Sequence, residues 1–171
     1  MSLTELLFSF KGRINRKPWW LASLAVGVAT SLITAILEFA ARLSGSTAVD
    51  PGAQVVEPTG ILSLVVLAVG LANTWITFAL CVKRLHDRDR TGWWLVWQSL
   101  ILALTVILIV VAIAVPKEEA PLWYTLAGGL AVAAFVVSIW LFVEIGFLRG
   151  TQGPNRFGPD PPGAPKADAQ L

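Results

Sequence analysis

His86 followed at once by Asp87 is the pair in this chain whose types most directly invite chemistry. An imidazole oriented by a carboxylate can act as a general base near neutral pH. Neighbouring residues of a helix, however, point about 100° apart, so the two side chains do not face each other along one helix. His86 is the one histidine and Cys81 the one cysteine among 171 residues. That excludes an internal disulfide and a multi-histidine or thiolate metal cage built by this chain alone. The expectation is structural hydrogen bonding for His86 and small apolar filling for Cys81. No catalytic, cofactor-binding or metal-ligating residue is assigned, and the chain is not read as an enzyme.

Most of the remaining polar chemistry lies in three segments that combine Gly, Arg and aromatic residues. They are FKGRINRKPWW at 10–20, VKRLHDRDRTGWW at 82–94 and GTQGPNRFGPD at 150–160. Arg84 and Asp87 stand one helical turn apart and can pair with each other or with neighbours. Arg84 is expected to meet Glu144, because both fall at the same end of two apolar stretches and a lone carboxylate there is unfavourable. The competing expectation is that both side chains extend to water. The third segment, with Gly150, Gly153, Pro154, Asn155 and Gly158, reads as a run of turns. With no helix after it to add a dipole, it is a folded cap over the helix ends and not a phosphate loop. Phe157 is expected to pack there on Trp20 or Trp93. The candidate structural or headgroup-binding cluster is Gly12, Arg13, Arg16, Arg84, His86, Asp87, Glu144, Asn155 and Gly158.

What must position these residues is a set of membrane-crossing helices. The chain is 56% hydrophobic and 14% charged, with a mean hydropathy of +0.70, and a soluble fold of this length could not bury so much apolar surface. A hydrocarbon core of about 30 Å takes roughly 20 apolar residues as helix, because every backbone amide must be bonded internally. Four stretches qualify: 19–41, 60–82, 93–115 and 122–148. Only Glu38 and Glu144 are charged within them, each near a span end. The fold class is therefore all-α, a four-helix transmembrane bundle with a short N-terminal interfacial helix. The leader is residues 1–18, the four-span domain 19–158, and a Pro- and Ala-rich cytoplasmic tail expected to be disordered is 159–171.

Orientation follows from the basic residues. Eleven of the 13 Lys and Arg lie before span one, between spans two and three, or after span four; only Arg42 and Lys117 lie in the other two loops. Basic loops stay on the cytoplasmic side, which places both termini inside and agrees with an even number of crossings. The pI near 9.0 reflects these clusters and suits a membrane surface, not nucleic acid. In the leader, Leu3, Leu6, Leu7 and Phe10 repeat with helical spacing, Ser2 and Glu5 form a capping box, and Gly12 offers a stop. Residues 43–59 are turn-rich, and 116–121 make a tight turn. The first span is too long for a cleaved signal peptide. Trp19, Trp20, Trp93 and Trp94 suit headgroup-level anchoring, with a duplication of the two Trp-pair segments as the alternative.

Small residues mark the expected seams, for packing within the chain with a homodimer contact as the alternative: Ser23, Gly27, Ser31 and Ala35 in span one, and Gly129 with Ala133 and Ala134 with Ser138 in span four. Asn73 and Thr77 share a face that continues through Leu80 to Arg84 and Asp87, and Asn73 is expected to bond to another helix.

The chain resembles the bacterial inner-membrane family called domain of unknown function 805. The likeness rests on Gly12, Arg13, Arg16 and Trp20, then Arg84, Leu85, His86, Asp87, Gly92 and Trp93, then Gly153, Asn155, Phe157, Gly158, Asp160 and Pro161. It runs from the leader to about Pro161, with Arg90 before Thr91 and the long first outer loop as local departures. The resemblance implies a multi-pass inner-membrane protein and supplies no reaction. The functional expectation is a structural or regulatory membrane protein, without cofactor, whose basic cytoplasmic face contacts anionic lipid headgroups or a protein partner, a second copy included. The alternative is a small-solute transporter or channel component, against which stands the lack of ionisable groups at mid-span.

Overall fold

The computed structural model describes residues 1–43, 47–48, 57–58 and 60–162. Among the described residues, the regular elements are all helices apart from one pair of two-residue strands. Its elements are α1 (Leu3–Phe8), α2 (Arg16–Leu43), β1 (Thr47–Ala48), β2 (Glu57–Pro58), α3 (Ile61–Asp87), α4 (Trp93–Ala114) and α5 (Ala120–Gly146). The four long helices coincide with the four apolar stretches, and each is long and apolar enough to cross a membrane. At about 1.5 Å per residue, the 22 residues of α4 span roughly 33 Å, the thickness of a hydrocarbon core. Their outward faces carry large apolar side chains in the open, such as Leu24, Ile36, Leu71, Ile107, Ile113, Val132 and Phe135. Apolar surface on this scale is what lipid covers and water does not tolerate.

The chain divides into two compact units. The first is Met1–Ser9 with Trp20–Leu80. Here Ser2 caps α1: the Glu5 amide donates to Ser2 Oγ at 3.2 Å and the Ser2 amide to Glu5 Oε2 at 2.9 Å. Those bonds hold the exposed Glu5 carboxyl below the usual carboxylate range. Trp75 Nε1 donates to the Phe8 carbonyl at 3.4 Å, which docks the end of α1 onto α3. Thr30 Oγ1 donates to Asn73 Oδ1 at 3.2 Å, the interhelical bond expected of Asn73. Thr77 is exposed, however, while Leu80 further along α3 is buried. The span-one stripe is not a tight seam either, since Gly27, Ser31 and Ala35 are exposed and a Cβ on Gly27 would meet nothing within 4 Å. β1 and β2 pair antiparallel, Thr47 opposite Pro58; the rest of the expected 43–59 turn region lies outside the described residues.

The second unit is Phe10–Trp19 with Cys81–Leu171. It holds the start of α2, the end of α3 and the whole of α4 and α5, the last two joined by a turn in which the amides of Glu119 and Ala120 bond the Pro116 carbonyl at 3.0 and 3.1 Å. At the end of α5 Glu144, Ile145 and Gly146 are buried, and along the two helices the buried residues are Gln98, Thr105 and Ala112 on α4 and Ala127, Ala134 and Leu141 on α5. Both sets step by seven, the spacing that keeps one stripe facing a partner in a left-handed, slightly under-wound pair. Alanine in the α5 stripe permits close backbone approach. Gln98 Nε2 donates across the seam to the Ala134 carbonyl at 3.0 Å and Ser138 Oγ at 2.7 Å. Thus Ala134 and Ser138 serve the seam as expected, whereas Gly129 and Ala133 are exposed.

Candidate functional site

The three Gly-Arg-aromatic segments meet in the second unit, around the last turn of α3. The helix is stopped by its own backbone: the Asp89 amide bonds His86 O at 3.0 Å and the Arg90 amide bonds Leu85 O at 2.8 Å. Asp89 takes a φ of 57°, so aspartate occupies the left-handed position where glycine usually closes a helix. This closure leaves Asp87 in the final turn, 1% exposed.

Two arginines share the Asp87 carboxylate. Arg13 Nε donates to Oδ1 at 3.2 Å, and Arg84 Nη1 donates to Oδ2. All three side chains are at most 1% exposed. A guanidinium carries five donors and no acceptor, and burying one without partners is severely unfavourable. The remaining donors are therefore matched by main-chain carbonyls. Arg13 Nη1 reaches Gly153 O at 2.7 Å and Gly158 O at 3.3 Å, and Nη2 reaches Thr151 O at 2.6 Å. Nη2 also lies 3.2 Å from Asp160 Oδ1. Arg84 Nε donates to Ile145 O at 2.8 Å, and its Nη2 to Leu148 O.

Arg84 thereby caps α5. Carbonyls at a helix C-terminus lack intrahelical donors and carry the negative end of the helix dipole, which favours cations there. Two further arginines join in: Arg16 Nη1 donates to Phe147 O at 2.8 Å, and Arg88 Nη1 to Arg149 O.

The segment from Gly150 to Pro162 lies across the α3 end as a strap. The Thr151 amide and hydroxyl both bond Asp87 O, at 2.8 and 3.1 Å. Asn155 Nδ2 donates to His86 O at 2.9 Å, while Asn155 Oδ1 accepts from the Phe157 amide at 2.9 Å. Asn155 and Gly158 exchange both main-chain bonds at 3.0 Å in a tight turn, and that turn holds Gly158 at a φ of 136°, open to glycine alone without strain. Gly150 is fixed for another reason, because a Cβ there would sit 2.0 Å from Asp87 Oδ2.

His86 is held on two sides. Its Nδ1 lies 3.3 Å from Gly12 O, and since a carbonyl can only accept, that nitrogen carries the proton. Its ring stacks on Phe157 with centroids 3.9 Å apart and planes 6° apart.

Every residue of the candidate cluster takes part, but two pairings differ from expectation. Glu144 does not pair with Arg84. Its Oε1 is 3.2 Å from Arg88 Nε and 3.5 Å from Arg90 Nε, while Arg84 turns to Asp87 and the α5 carbonyls. Neither Arg84 nor Glu144 extends into the open, being 0% and 4% exposed. Phe157 packs on His86 instead of Trp20 or Trp93 because the Asn155–Gly158 turn sets it directly over the imidazole. The expected cluster does not include Thr151, which carries no local signal beyond polarity, and Arg88 and Arg90 are expected only as part of the basic cytoplasmic face, not as partners of Glu144. Sequence reasoning also took residues 159–162 into a disordered tail. Asp160 pairs with Arg13, Pro161 is buried and Pro162 O accepts from Asn15 Nδ2 at 3.2 Å. The remainder of that tail, 163–171, lies outside the described residues.

Comparison with known proteins finds a family model described as Protein of unknown function (DUF805), matching residues 7–159. The matched range covers all three segments that build the cluster. The chain is 30% identical over 172 residues to the Uncharacterized protein YiiR of Escherichia coli strain K12, covering 94% of this chain and 90% of that one. The protein of the same name from Escherichia coli O157:H7 matches to the same extent. No solved structure matches.

Proposed function

The chain belongs to the DUF805 family, and from that premise we propose that it is a non-enzymatic, four-pass protein of the bacterial inner membrane, structural or regulatory in role, whose basic cytoplasmic end contacts anionic lipid headgroups. The observation that carries this reading is how the charged groups are divided. The motif residues Arg13, Arg84 and Asp87 are buried and bonded to one another and to main-chain carbonyls. They hold the segments together. Lys17, Arg149, Arg90 and Arg156 are exposed around the same cluster.

Juxtamembrane cations contribute about 1 kcal/mol each near an anionic leaflet. The count of basic residues supports placing this end in the cytoplasm. His86, bonded to Gly12 O and covered by Phe157, serves as a spacer between the segments.

The test is the lipid that accompanies the purified protein. Lys17→Gln with Arg149→Gln removes two exposed cations whose side chains form no ion pair among the described residues. We expect a severalfold fall in copurified anionic lipid with folded yield unchanged. An unaltered lipid complement in that variant contradicts the headgroup role.

A further inference from the structure

We propose that the strap, Gly150–Pro162, is a conformational device that opens and closes over the end of α3 while the helix pair α4 and α5 stays folded. The inference does not depend on headgroup binding. It stands on the contrast between what holds the strap and what holds the helices.

The helix pair is closed by two stripes of buried side chains spaced seven residues apart and an interhelical hydrogen bond from the Gln98 amide. The strap has little of this kind. Its apolar anchors are Phe157, half-buried on His86, and Pro161. Gln152, Pro154, Arg156, Pro159 and Asp160 along it are exposed. The rest of its attachment is polar: Arg13 binds the carbonyls of Thr151, Gly153 and Gly158 and the carboxylate of Asp160, while Thr151 and Asn155 bond the Asp87 and His86 carbonyls and Asn15 bonds Pro162 O. An outer pair, Arg156 with Asp89, closes its edge with both side chains about half exposed, where salt screens it. Segments with few buried apolar contacts and exposed polar bonds are the ones that open below the global unfolding free energy.

Opening has a defined consequence. It uncovers the Asp87 and His86 carbonyls, the His86 ring and the guanidinium of Arg13, all of which the strap now covers or bonds. The end of α3 changes from a self-satisfied surface to one presenting a cation and the Asp87 carbonyl that Thr151 now bonds. The strap includes the segment after the last helix, so the closed state also reports that α5 is in place.

Two substitutions separate strap from helices in the full chain. Gly158→Val keeps every charge but forbids the φ of 136°. Arg13→Lys keeps the charge but removes the fork that holds three carbonyls. Leu141→Ala, in the α5 stripe, is the control. The measurement is the rate at which trypsin cuts after Arg156 in nanodiscs, read by mass, beside the thermal loss of helix. Both strap variants should be cut at least tenfold faster with an unshifted helix melt, and raised salt should speed cutting of the unmodified chain. Leu141→Ala should lower the melt and leave cutting unchanged at temperatures well below it. Cutting that follows the helix melt across all three variants overturns the proposal, as does an unchanged rate in both strap variants.

Discussion

Arg13 binds Asp87 across 74 residues of sequence, Nε to Oδ1 at 3.2 Å, with both side chains buried. Because Arg84 holds the other oxygen of the same carboxylate, Asp87 is the point where the N-terminal segment, the end of α3 and the C-terminal strap are joined.

Removing that point should be costly. Asp87→Ala leaves two buried guanidinium groups without their shared counter-charge, and breaking a buried pair in this way destabilises by about 3–5 kcal/mol. Unfolding in mixed micelles should show a loss of that order. A change within about 0.5 kcal/mol of the unmodified protein, the size of an ordinary surface substitution, is incompatible with the arrangement.

Glycine substitutions should divide sharply by position. A methyl on Gly150 would sit 2.0 Å from Asp87 Oδ2, whereas on Gly27 or Gly129 it would meet nothing within 4 Å. Gly150→Ala is expected to displace the carboxylate from its two arginines and lower folded yield in membranes. Gly27→Ala and Gly129→Ala are expected to be neutral in the same assay. A large loss from either of the latter two would reveal a contact at that face.

Glu144 tests the pairing that spacing alone misassigns. A double-mutant cycle between Glu144→Gln and Arg88→Gln should give a coupling in the range of about 0.5–3 kcal/mol typical of neighbours in one network. The cycle between Glu144 and Arg84 should give the smaller value, because Arg84 bonds Asp87, Ile145 O and Leu148 O. A larger Arg84 coupling reverses the assignment.

Gln98 provides the measure of the α4 and α5 seam. Its Nε2 bonds Ala134 O and Ser138 Oγ, while its Oε1 is buried without a hydrogen-bond partner among the described residues. Interhelical bonds of this kind contribute about 0.6–2 kcal/mol in membranes. Gln98→Leu removes both the bonds and the unmatched oxygen, so it should cost less than Gln98→Glu, which keeps that oxygen, sets a second one against the Ala134 carbonyl and adds a buried charge. Thermal stability of the two variants in detergent reads the order directly.

The helices were legible because their signal is local and additive. Twenty apolar residues in a row mark a span without reference to any other part of the chain, and α2 to α5 begin and end within a few residues of the stretches read from hydropathy. The Ser2–Glu5 capping box is likewise a three-residue relation and appears as expected. Pairings between elements were less legible. Spacing places Arg84 and Glu144 at corresponding ends of two helices, but not the rotation of each helix about its axis, which turns Arg84 to the carbonyls of α5 and gives Glu144 to Arg88. The seams show the same limit. Small residues every four positions drew attention to Gly27 and Gly129, whereas the buried stripes of α4 and α5 repeat every seven and are marked by Gln98, a lone amide in an apolar run. The strap had no periodicity to read, since its form depends on carbonyls gathered by one arginine 138 to 145 residues earlier.

The proposed topology meets its most direct test in side-specific labelling. With Cys81→Ala as background, a single cysteine replaces Glu118 or the exposed Gln152, and each variant is treated with a membrane-impermeant maleimide. The account predicts that Glu118→Cys reacts in intact cells and Gln152→Cys only in inverted vesicles. Labelling of both positions from the same side, or of Gln152→Cys from outside, contradicts it.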